Sequence, residues 1–199
     1  MFQKNSLGFC CEDRKLFSEI LKDFFLAKKV HEKFMALLEV LQFPDPRLRV
    51  KAKRVEQIDA TIHKIVEEMY ETMYAHNGVG LAATQVGIHQ QIFVMDVSPA
   101  RDKRYCVINP EILSREGIQA DTEGCLSVVG AYDKVERAAK VHLRGMDLTG
   151  KIFELEAEEL MAACVQHEMD HLNGMLFIDH LSRLKQERIR KKIQKTKNK

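Results

Sequence analysis

The segment CVQHEMDHLNGM, from Cys164 to Met175, places two histidines and a glutamate in a run that is otherwise apolar enough to be buried. An α-helix turns by about 100° per residue, so His167 and His171 lie one turn apart on the same face, with Glu168 beside them. Burying two imidazoles and a carboxylate without partners is costly. A metal ion would be such a partner, and H-E-x-x-H on a helix is typical of a metal site with its own base. The segment therefore predicts a buried metal-binding helix.

Other interpretations of this motif remain open at the level of the residues. Three fixed residues in five positions also arise by chance, as polar residues on an ordinary core helix. If a metal is bound, a zinc endopeptidase would carry the same motif. A protein that keeps the fold without the metal would act by binding alone. The identity of a third metal ligand discriminates between these interpretations.

Two histidines do not complete a metal site, so a further ligand must come from another part of the chain. Cys164 cannot bind the same ion as both histidines, because it lies about 10.5 Å of helix rise from His171. We interpret Cys164 as a small core residue. The remaining candidates lie upstream and are Cys106, Cys125 and His142. The cysteine of EGCLSV is the most attractive of them, because Gly124 beside it lets the backbone approach closely.

The periodicity of the remaining chain predicts an α+β fold. A helical apolar face precedes a stop at Asn77-Gly78 and consists of Ile62, Ile65, Val66, Met69, Met73 and Tyr74. Short β-rich runs follow, and DLTGK is typical of a hairpin turn. The metal helix is predicted over Glu156–Leu172, with Asn173-Gly174 as its stop. Helices at both ends of a set of strands indicate short, mainly antiparallel strands around a central HExxH helix.

The two ends of the chain differ from its middle. Residues 1–34 predict a helical extension, because Phe17, Ile20, Leu21, Phe24 and Phe25 recur at helical spacing. Residues 35–182 are interpreted as the catalytic domain. Residues 183–199 predict a basic C-terminal helix or tail, with nine Lys or Arg and one acidic residue. The apolar Ile189 and Ile193 lie four residues apart in it.

Composition narrows the class of protein. The chain has 199 residues, of which 45% are apolar and 30% charged, and a net charge of +2, which does not suggest a nucleic-acid binder. Five cysteines without a CxxC pair do not predict a disulfide framework, so a reducing compartment is expected. No membrane span or signal peptide is predicted. We therefore expect a cytoplasmic protein.

Three motifs together resemble peptide deformylases. They are GVGLAATQ at Gly78–Gln85, EGCLS at Glu123–Ser127 and QHEMDHLNG at Gln166–Gly174, in the order and at about the spacing of that family. The resemblance implies that Cys125, His167 and His171 bind one divalent metal ion and that Glu168 is the general acid/base. It implies an oxyanion site formed by the Gln85 side chain and the Leu126 N–H. It also implies Fe²⁺ as the metal in the cell, with Zn²⁺, Ni²⁺ or Co²⁺ as substitutes.

The resemblance also implies a substrate, the N-formylmethionine at the start of newly made chains, from which formate is released. The methionine pocket would be formed by Val79, Leu160, Ala163 and Cys164, and the substrate backbone would pair with Gly80 and residues 128–130. Glu123, Arg137, Gln166 and Asp170 are candidates to orient the ligands. The basic C-terminus would contact the ribosome, and a monomer is expected.

Two positions depart from the family pattern. Val129 stands where the family usually has proline, and Tyr132 where many members have arginine. Residues 1–34 have no counterpart in that pattern.

Overall fold

The computed structural model of the chain describes residues 37–197. The helix predicted within residues 1–34 lies outside them. The described part contains three α-helices: α1 Ala60–Ala75, α2 Glu159–Leu172 and α3 Arg183–Lys197. Its seven strands are β1 Gly80–Ala82, β2 Ile92–Met95, β3 Tyr105–Glu116, β4 Gln119–Gly124, β5 Tyr132–Arg137, β6 Lys140–Met146 and β7 Ile152–Glu158. The predicted α+β class is confirmed.

The strands form two sheets. The larger sheet has the order β1-β2-β3-β6-β7, and every neighbouring pair in it is antiparallel. The second sheet is the antiparallel pair β4-β5. The metal helix α2 packs against β1, β2, β6 and β7 of the larger sheet and against β5 of the smaller one. Residues from both sheets therefore reach the same face of α2.

Helix α1 follows the predicted pattern. Asp59 caps its first turn, because its side chain accepts a hydrogen bond from the Ile62 N–H at 3.0 Å. The apolar face packs against β1 and β2, with Val66, Met69 and Met73 fully buried. Asn77 has a positive φ of 56° just beyond the helix, in agreement with the predicted stop.

The predicted start of α2 at Glu156 is wrong by three residues. The structure begins this helix at Glu159, because the residues before it continue strand β7. Glu156 lies opposite His142 of β6, and Glu158 lies opposite Lys140. Pairing with a neighbouring strand overrides the local helical propensity of these glutamates.

The end of α2 agrees with the prediction. Gly174 has a φ of 73°, a conformation that favours glycine. A Cβ atom at this position would lie 2.5 Å from the carbonyl oxygen of Arg49. Glycine is therefore required here both by the backbone conformation and by close packing.

The basic C-terminal segment forms α3. Ile189 is buried and Ile193 packs against the same cluster, which includes Leu181, Phe177 and Val128. Lys185 forms an ion pair with Asp133 at 2.6 Å. Lys192 donates a hydrogen bond to the carbonyl oxygen of Gly130 at 2.6 Å. The helix thus covers the segment between β4 and β5. Within residues 37–197, no helix has the length and hydropathy needed to cross a membrane.

Candidate active site

Three segments that are distant in sequence converge on one face of α2. Strand β1 carries Gly80 to this face, where a Cβ atom would overlap Oε1 of Glu168 and lie 2.7 Å from Sγ of Cys164. The short 3-10 helix Ala83–Val86 that follows β1 contributes Gln85. The loop after β4 contributes Cys125. Glycine at position 80 allows β1 to lie directly against the reactive part of α2.

Cys125, His167 and His171 are brought together as a group. Their potential ligand atoms all lie within 4.8 Å of one another. The Sγ atom of Cys125 lies 3.2 Å from Nε2 of His171, and the two imidazole rings have centroids 5.0 Å apart. Ligands that share one ion through bonds of about 2.0–2.3 Å must lie within about 4–5 Å of one another. The group is therefore close enough to hold one metal ion.

Glu123 orients the first of these histidines. Its Oε2 lies 2.8 Å from Nδ1 of His167, which leaves Nε2 of that ring for a metal. Burial opposes ionisation of Glu123, but hydrogen bonds from His167 and Arg137 outweigh it and lower the pKa of Glu123 to about 2. Glu123 is thus an ionised acceptor at neutral pH and fixes the ring of His167.

Arg137 holds Glu123 in turn. Its Nε and Nη2 atoms donate to the two oxygens of Glu123 at 2.8 and 3.1 Å, a bidentate pairing. Its Nη1 donates to Oδ2 of Asp170 at 2.6 Å. The Arg137 side chain is only 5% exposed, so both ion pairs are shielded from water. Gln166 bonds the backbone of Ala138 through both atoms of its amide, at 3.0 Å each. Glu123, Arg137 and Asp170 thus form one network that reaches His167, whereas Gln166 bonds the backbone next to Arg137.

Glu168 lies in an environment that changes its acidity. It is 3% exposed, and burial raises its pKa to about 7. Its Oε2 atom is buried and has no hydrogen-bond partner among the described residues. A carboxylate with an available oxygen and a pKa near neutrality is suited to accept and return a proton.

Gln85 and Leu126 border the same space. Oε1 of Gln85 accepts the Ala82 N–H at 2.8 Å, which turns Nε2 toward Cys125 Sγ at 3.6 Å. The carbonyl oxygen of Leu126 accepts a hydrogen bond from Nε2 of Gln42 at 2.9 Å. This bond fixes the peptide that joins Leu126 to Ser127, and the preceding peptide is held by the bond from the Val128 N–H to the Cys125 carbonyl oxygen at 3.0 Å. The Gln85 amide thus lies beside the Cys-His-His group, and Leu126 directly follows Cys125 in the chain.

The residues present fit a divalent transition metal. One thiol and two imidazoles are the donor types that such ions take in proteins. Burial opposes a positive charge on His167, yet hydrogen bonds to Cys125 and Glu123 raise its pKa above the ordinary value. Burial, together with the charges of His167 and Arg137, lowers the pKa of His171 well below the ordinary value, so this ring is neutral and has a nitrogen lone pair for a metal.

The other candidates for the third ligand lie elsewhere. Cys106 is in β3, opposite Val94 of β2, and His142 is in β6, where its Nε2 pairs with Glu154 at 2.9 Å. Within residues 37–197, the Cys-His-His group is the one cluster with metal-ligand spacing. Cys164 is not part of it and contacts the Val79 carbonyl at 3.7 Å, as expected of a packing residue.

The residues proposed to bind substrate lie around Gly80 and the first turns of α2. Ala163 and Cys164 are buried, whereas Val79 and Leu160 are 40% and 57% exposed. Val79 and Leu160 thus present apolar surface to solvent. Tyr132 is exposed as well, and its ring lies against the Gly124 backbone.

Sequence reasoning missed three residues of the site. Ser127 accepts from Nε2 of Gln85 at 3.2 Å, Gln42 holds the Leu126 peptide, and His180 contacts Asp170 at 2.7 Å. Ser127 lies within the EGCLS motif, which was a usable signal. Gln42 and His180 carry no local pattern, because Gln42 contacts Leu126, and His180 contacts Asp170, only through the tertiary structure.

Replacing Gly80 with alanine is expected to lower kcat/KM by at least about 10-fold, because the new methyl group displaces Glu168 from its position. Gly145→Ala is the matched control, since its Cβ would overlap Val107 in the core. Both variants should lose about 1–3 kcal/mol of stability in urea titrations. A Gly80→Ala variant with the kcat/KM of the Gly145→Ala variant would contradict the expected position of Glu168.

In this antiparallel α+β fold, one helix carries two histidines and a buried glutamate, and a loop brings a cysteine beside them. This arrangement defines the site of a metal-dependent hydrolase. The comparisons with known proteins narrow this class. The sequence profile of the polypeptide deformylase family matches residues 37–187.

Solved structures agree with that match. A peptide deformylase from Legionella pneumophila is 45% identical, with a TM-score of 0.79 over 82% of this chain and 96% of that chain. A peptide deformylase from Ehrlichia chaffeensis in complex with actinonin is 37% identical, with a TM-score of 0.79 over 83% of this chain and 100% of that chain. Peptide deformylase from Thermotoga maritima is 42% identical, with a TM-score of 0.71 over 74% of this chain and 99% of that chain.

The chain belongs to the polypeptide deformylase family. Its activity is that of a peptide deformylase, which removes the N-formyl group from nascent peptides.

Proposed function

We propose that Cys125, His167 and His171 hold one divalent ion and that Glu168 moves the protons during deformylation of N-terminal formylmethionine. The observation that carries this proposal is the convergence of the three ligand atoms within 4.8 Å beside a buried glutamate. When bound, a divalent ion supplies Lewis-acid chemistry: it lowers the pKa of a water molecule and polarises a carbonyl group. The chain's own residues perform the remaining steps.

Glu168 acts first as a base. Its buried carboxylate accepts a proton from the attacking water, which then adds to the formyl carbon. Burial raises the pKa of Glu168 to about 7, so the same oxygen can return the proton to the leaving amine. The C–N bond then breaks, and formate and a free α-amino group are released.

Gln85 and Leu126 stabilise the negative charge that develops on the formyl oxygen. The Gln85 amide is held in place by the Ala82 N–H and Ser127, so its donor needs no rearrangement during the reaction. The Leu126 N–H belongs to the Cys125–Leu126 peptide, whose carbonyl oxygen accepts a hydrogen bond from the Val128 N–H at 3.0 Å. Two preorganised donors would thus lie beside the ligand group.

Val79, Leu160, Ala163 and Cys164 bind the methionine side chain of the substrate. The exposed apolar surface of Val79 and Leu160 favours an apolar side chain over a polar one. The Gly80 backbone and residues 128–130 pair with the substrate backbone as an added strand. Strand β1 is at the edge of its sheet, as this mode of binding requires.

The proposal extends to the metal, the compartment and the partners. The family resemblance favours Fe²⁺ in the cell, which elemental analysis of protein purified without oxygen would test. We place the chain in the cytoplasm as a monomer, to be tested by cell fractionation and light scattering. The exposed Arg188, Arg190 and Lys191 of α3 fit a polyanion such as ribosomal RNA. Unchanged co-sedimentation with ribosomes after truncation at Leu184 would oppose that contact.

Formate release from formyl-Met-Ala-Ser by anaerobically prepared, iron-loaded protein tests the function directly. We expect release of formate and no cleavage within casein. Internal cleavage of casein without formate release would instead identify an endopeptidase. Protein that retains no metal and releases no formate would be a binding protein that has kept the fold.

Replacing Gln85 with glutamate is expected to lower kcat by about 10²–10³-fold, because it removes an amide donor from the oxyanion. The new carboxylate retains an oxygen for the Ala82 N–H, so the local backbone should persist. Gln186→Glu is the control, since it removes an amide that donates to the carbonyl oxygen of Leu181, just before α3. Equal kcat values for the two variants would exclude Gln85 from the oxyanion site.

A further inference from the structure

A network of contacting side chains leads from the metal-binding His167 to the protein surface. Glu123 contacts His167, Arg137 contacts Glu123, and Asp170 contacts Arg137, as described above. The network ends at His180, whose Nε2 lies 2.7 Å from Oδ2 of Asp170. The same Nε2 atom lies 3.4 Å from Nη1 of Arg137, but the contact with Asp170 is much shorter, and because a carboxylate only accepts, Nε2 donates hydrogen to Asp170.

The two carboxylates of this network share one guanidinium. One guanidinium, that of Arg137, faces the two carboxylates of Glu123 and Asp170. The side chains of these carboxylates are 10% and 14% exposed, so water satisfies them poorly. Both Arg137 and His180 direct a donor at the same oxygen of Asp170. His180 therefore supplies a further donor to the carboxylate that holds Arg137.

The segment that carries His180 is anchored on both sides. It is the 3-10 helix Phe177–His180, which directly follows the turn at the end of α2. The Phe177 ring stacks on the His167 ring, with centroids 6.3 Å apart. Asp179 forms an ion pair with Arg49 and accepts the Leu176 N–H at 2.8 Å. His180 is therefore presented to Asp170 by a fixed backbone.

His180 lies at the surface, in contrast to the other side chains of the network. Its side chain is 33% exposed, and it borders a cavity of about 540 Å³ that also reaches Arg137, Gln166 and Asp170. Without His180, water entering from this cavity would compete with Arg137 for Asp170. Loss of that contact would loosen the bidentate hold of Arg137 on Glu123 and so the orientation of His167.

We propose that His180 is a positioning residue for the metal site and acts on His167 through Asp170, Arg137 and Glu123. This inference rests on the proposed role of Cys125, His167 and His171 as metal ligands. It concerns the retention of the ion rather than the chemical step. Replacing a residue that directly contacts a metal-binding side chain typically weakens metal affinity by about 10–100-fold. Replacing a more remote residue should have a smaller effect.

The test measures the affinity of metal-free protein for Co²⁺ by competition with a chelator. His180→Ala is expected to weaken Co²⁺ binding by about 3–10-fold. His180→Gln, whose amide can place a donor near Asp170, should restore the affinity to within about twofold. The melting temperature of the metal-free protein is recorded for each variant, because a purely structural role would lower it without selective loss of Co²⁺.

His142→Ala is the matched control. Its Nε2 pairs with Glu154 at 2.9 Å and its side chain is also 33% exposed, but it lies in β6, outside the metal-ligand group. Co²⁺ affinity of His180→Ala within twofold of His142→Ala would overturn the inference. Failure of His180→Gln to restore affinity would overturn it as well. If the unaltered protein binds no Co²⁺, the proposed metal site itself fails, which is a distinguishable result.

Discussion

Replacing Glu168 with glutamine is expected to slow formate release by about 10²–10⁴-fold while the protein keeps its metal. Glutamine has nearly the same shape, so it should fit the buried position between Gly80 and Cys164. Its amide cannot accept the proton of the attacking water or return it to the leaving amine. The loss should therefore appear in kcat, measured by formate release at saturating formyl-Met-Ala-Ser.

The control for this variant is Glu159→Gln, at the exposed first residue of the same helix. It makes the same chemical change without touching the site, and its kcat should stay near that of the unaltered protein. Metal content is measured for both variants. Turnover of Glu168→Gln at the unaltered rate would refute Glu168 as the proton carrier. Loss of metal from Glu168→Gln would show that Glu168 acts as a ligand instead.

Cys125→Ala is expected to abolish tight metal binding. Removing a direct ligand should weaken metal affinity by more than the roughly 10–100-fold that loss of an outer contact costs. Two histidines would remain, which is too few for a catalytic metal site. The measurement is the metal content after dialysis against a chelator, together with the absorption of the Co²⁺-loaded protein, in which a thiolate ligand gives a charge-transfer band.

Two other cysteines provide controls for this variant. Cys164→Ala and Cys106→Ala remove thiols that lie outside the Cys-His-His group, so both proteins should retain the ion. Cys164 is the stringent control, because it is on the metal helix itself, three residues before His167. Retention of Co²⁺ and its thiolate band by Cys125→Ala, with their loss in Cys164→Ala, would reverse the assignment of the third ligand.

The arrangement of His167, Glu168 and His171 could be predicted from sequence because it depends only on helical periodicity. The same periodicity excluded Cys164 as a partner of both histidines. Between Cys106, Cys125 and His142 the residues alone left the choice open, and the family motif EGCLS favoured Cys125. The structure confirms that Cys125 is grouped with the histidines, although 42 positions separate it from His167.

Local interactions decide where helix α2 ends, whereas non-local interactions decide where it begins. Its end at Asn173-Gly174 was predictable, because the positive φ of Gly174 is a property of the local chain. Its start was not, since Glu156–Glu158 form a strand only because β6 lies beside them. Residues with helical propensity adopt a strand when a neighbouring strand satisfies their backbone hydrogen bonds.

By itself, the sequence determined the α+β class, the metal-binding face of one helix and, through three motifs, the family. Only the tertiary structure decided that Arg137 joins Glu123 to Asp170 and that His180 completes this chain of contacts. Periodicity reports which residues share a face, because it reflects the repeat of the backbone within one element. Contacts between side chains from different elements depend on how those elements pack, and no local repeat in the sequence records that packing.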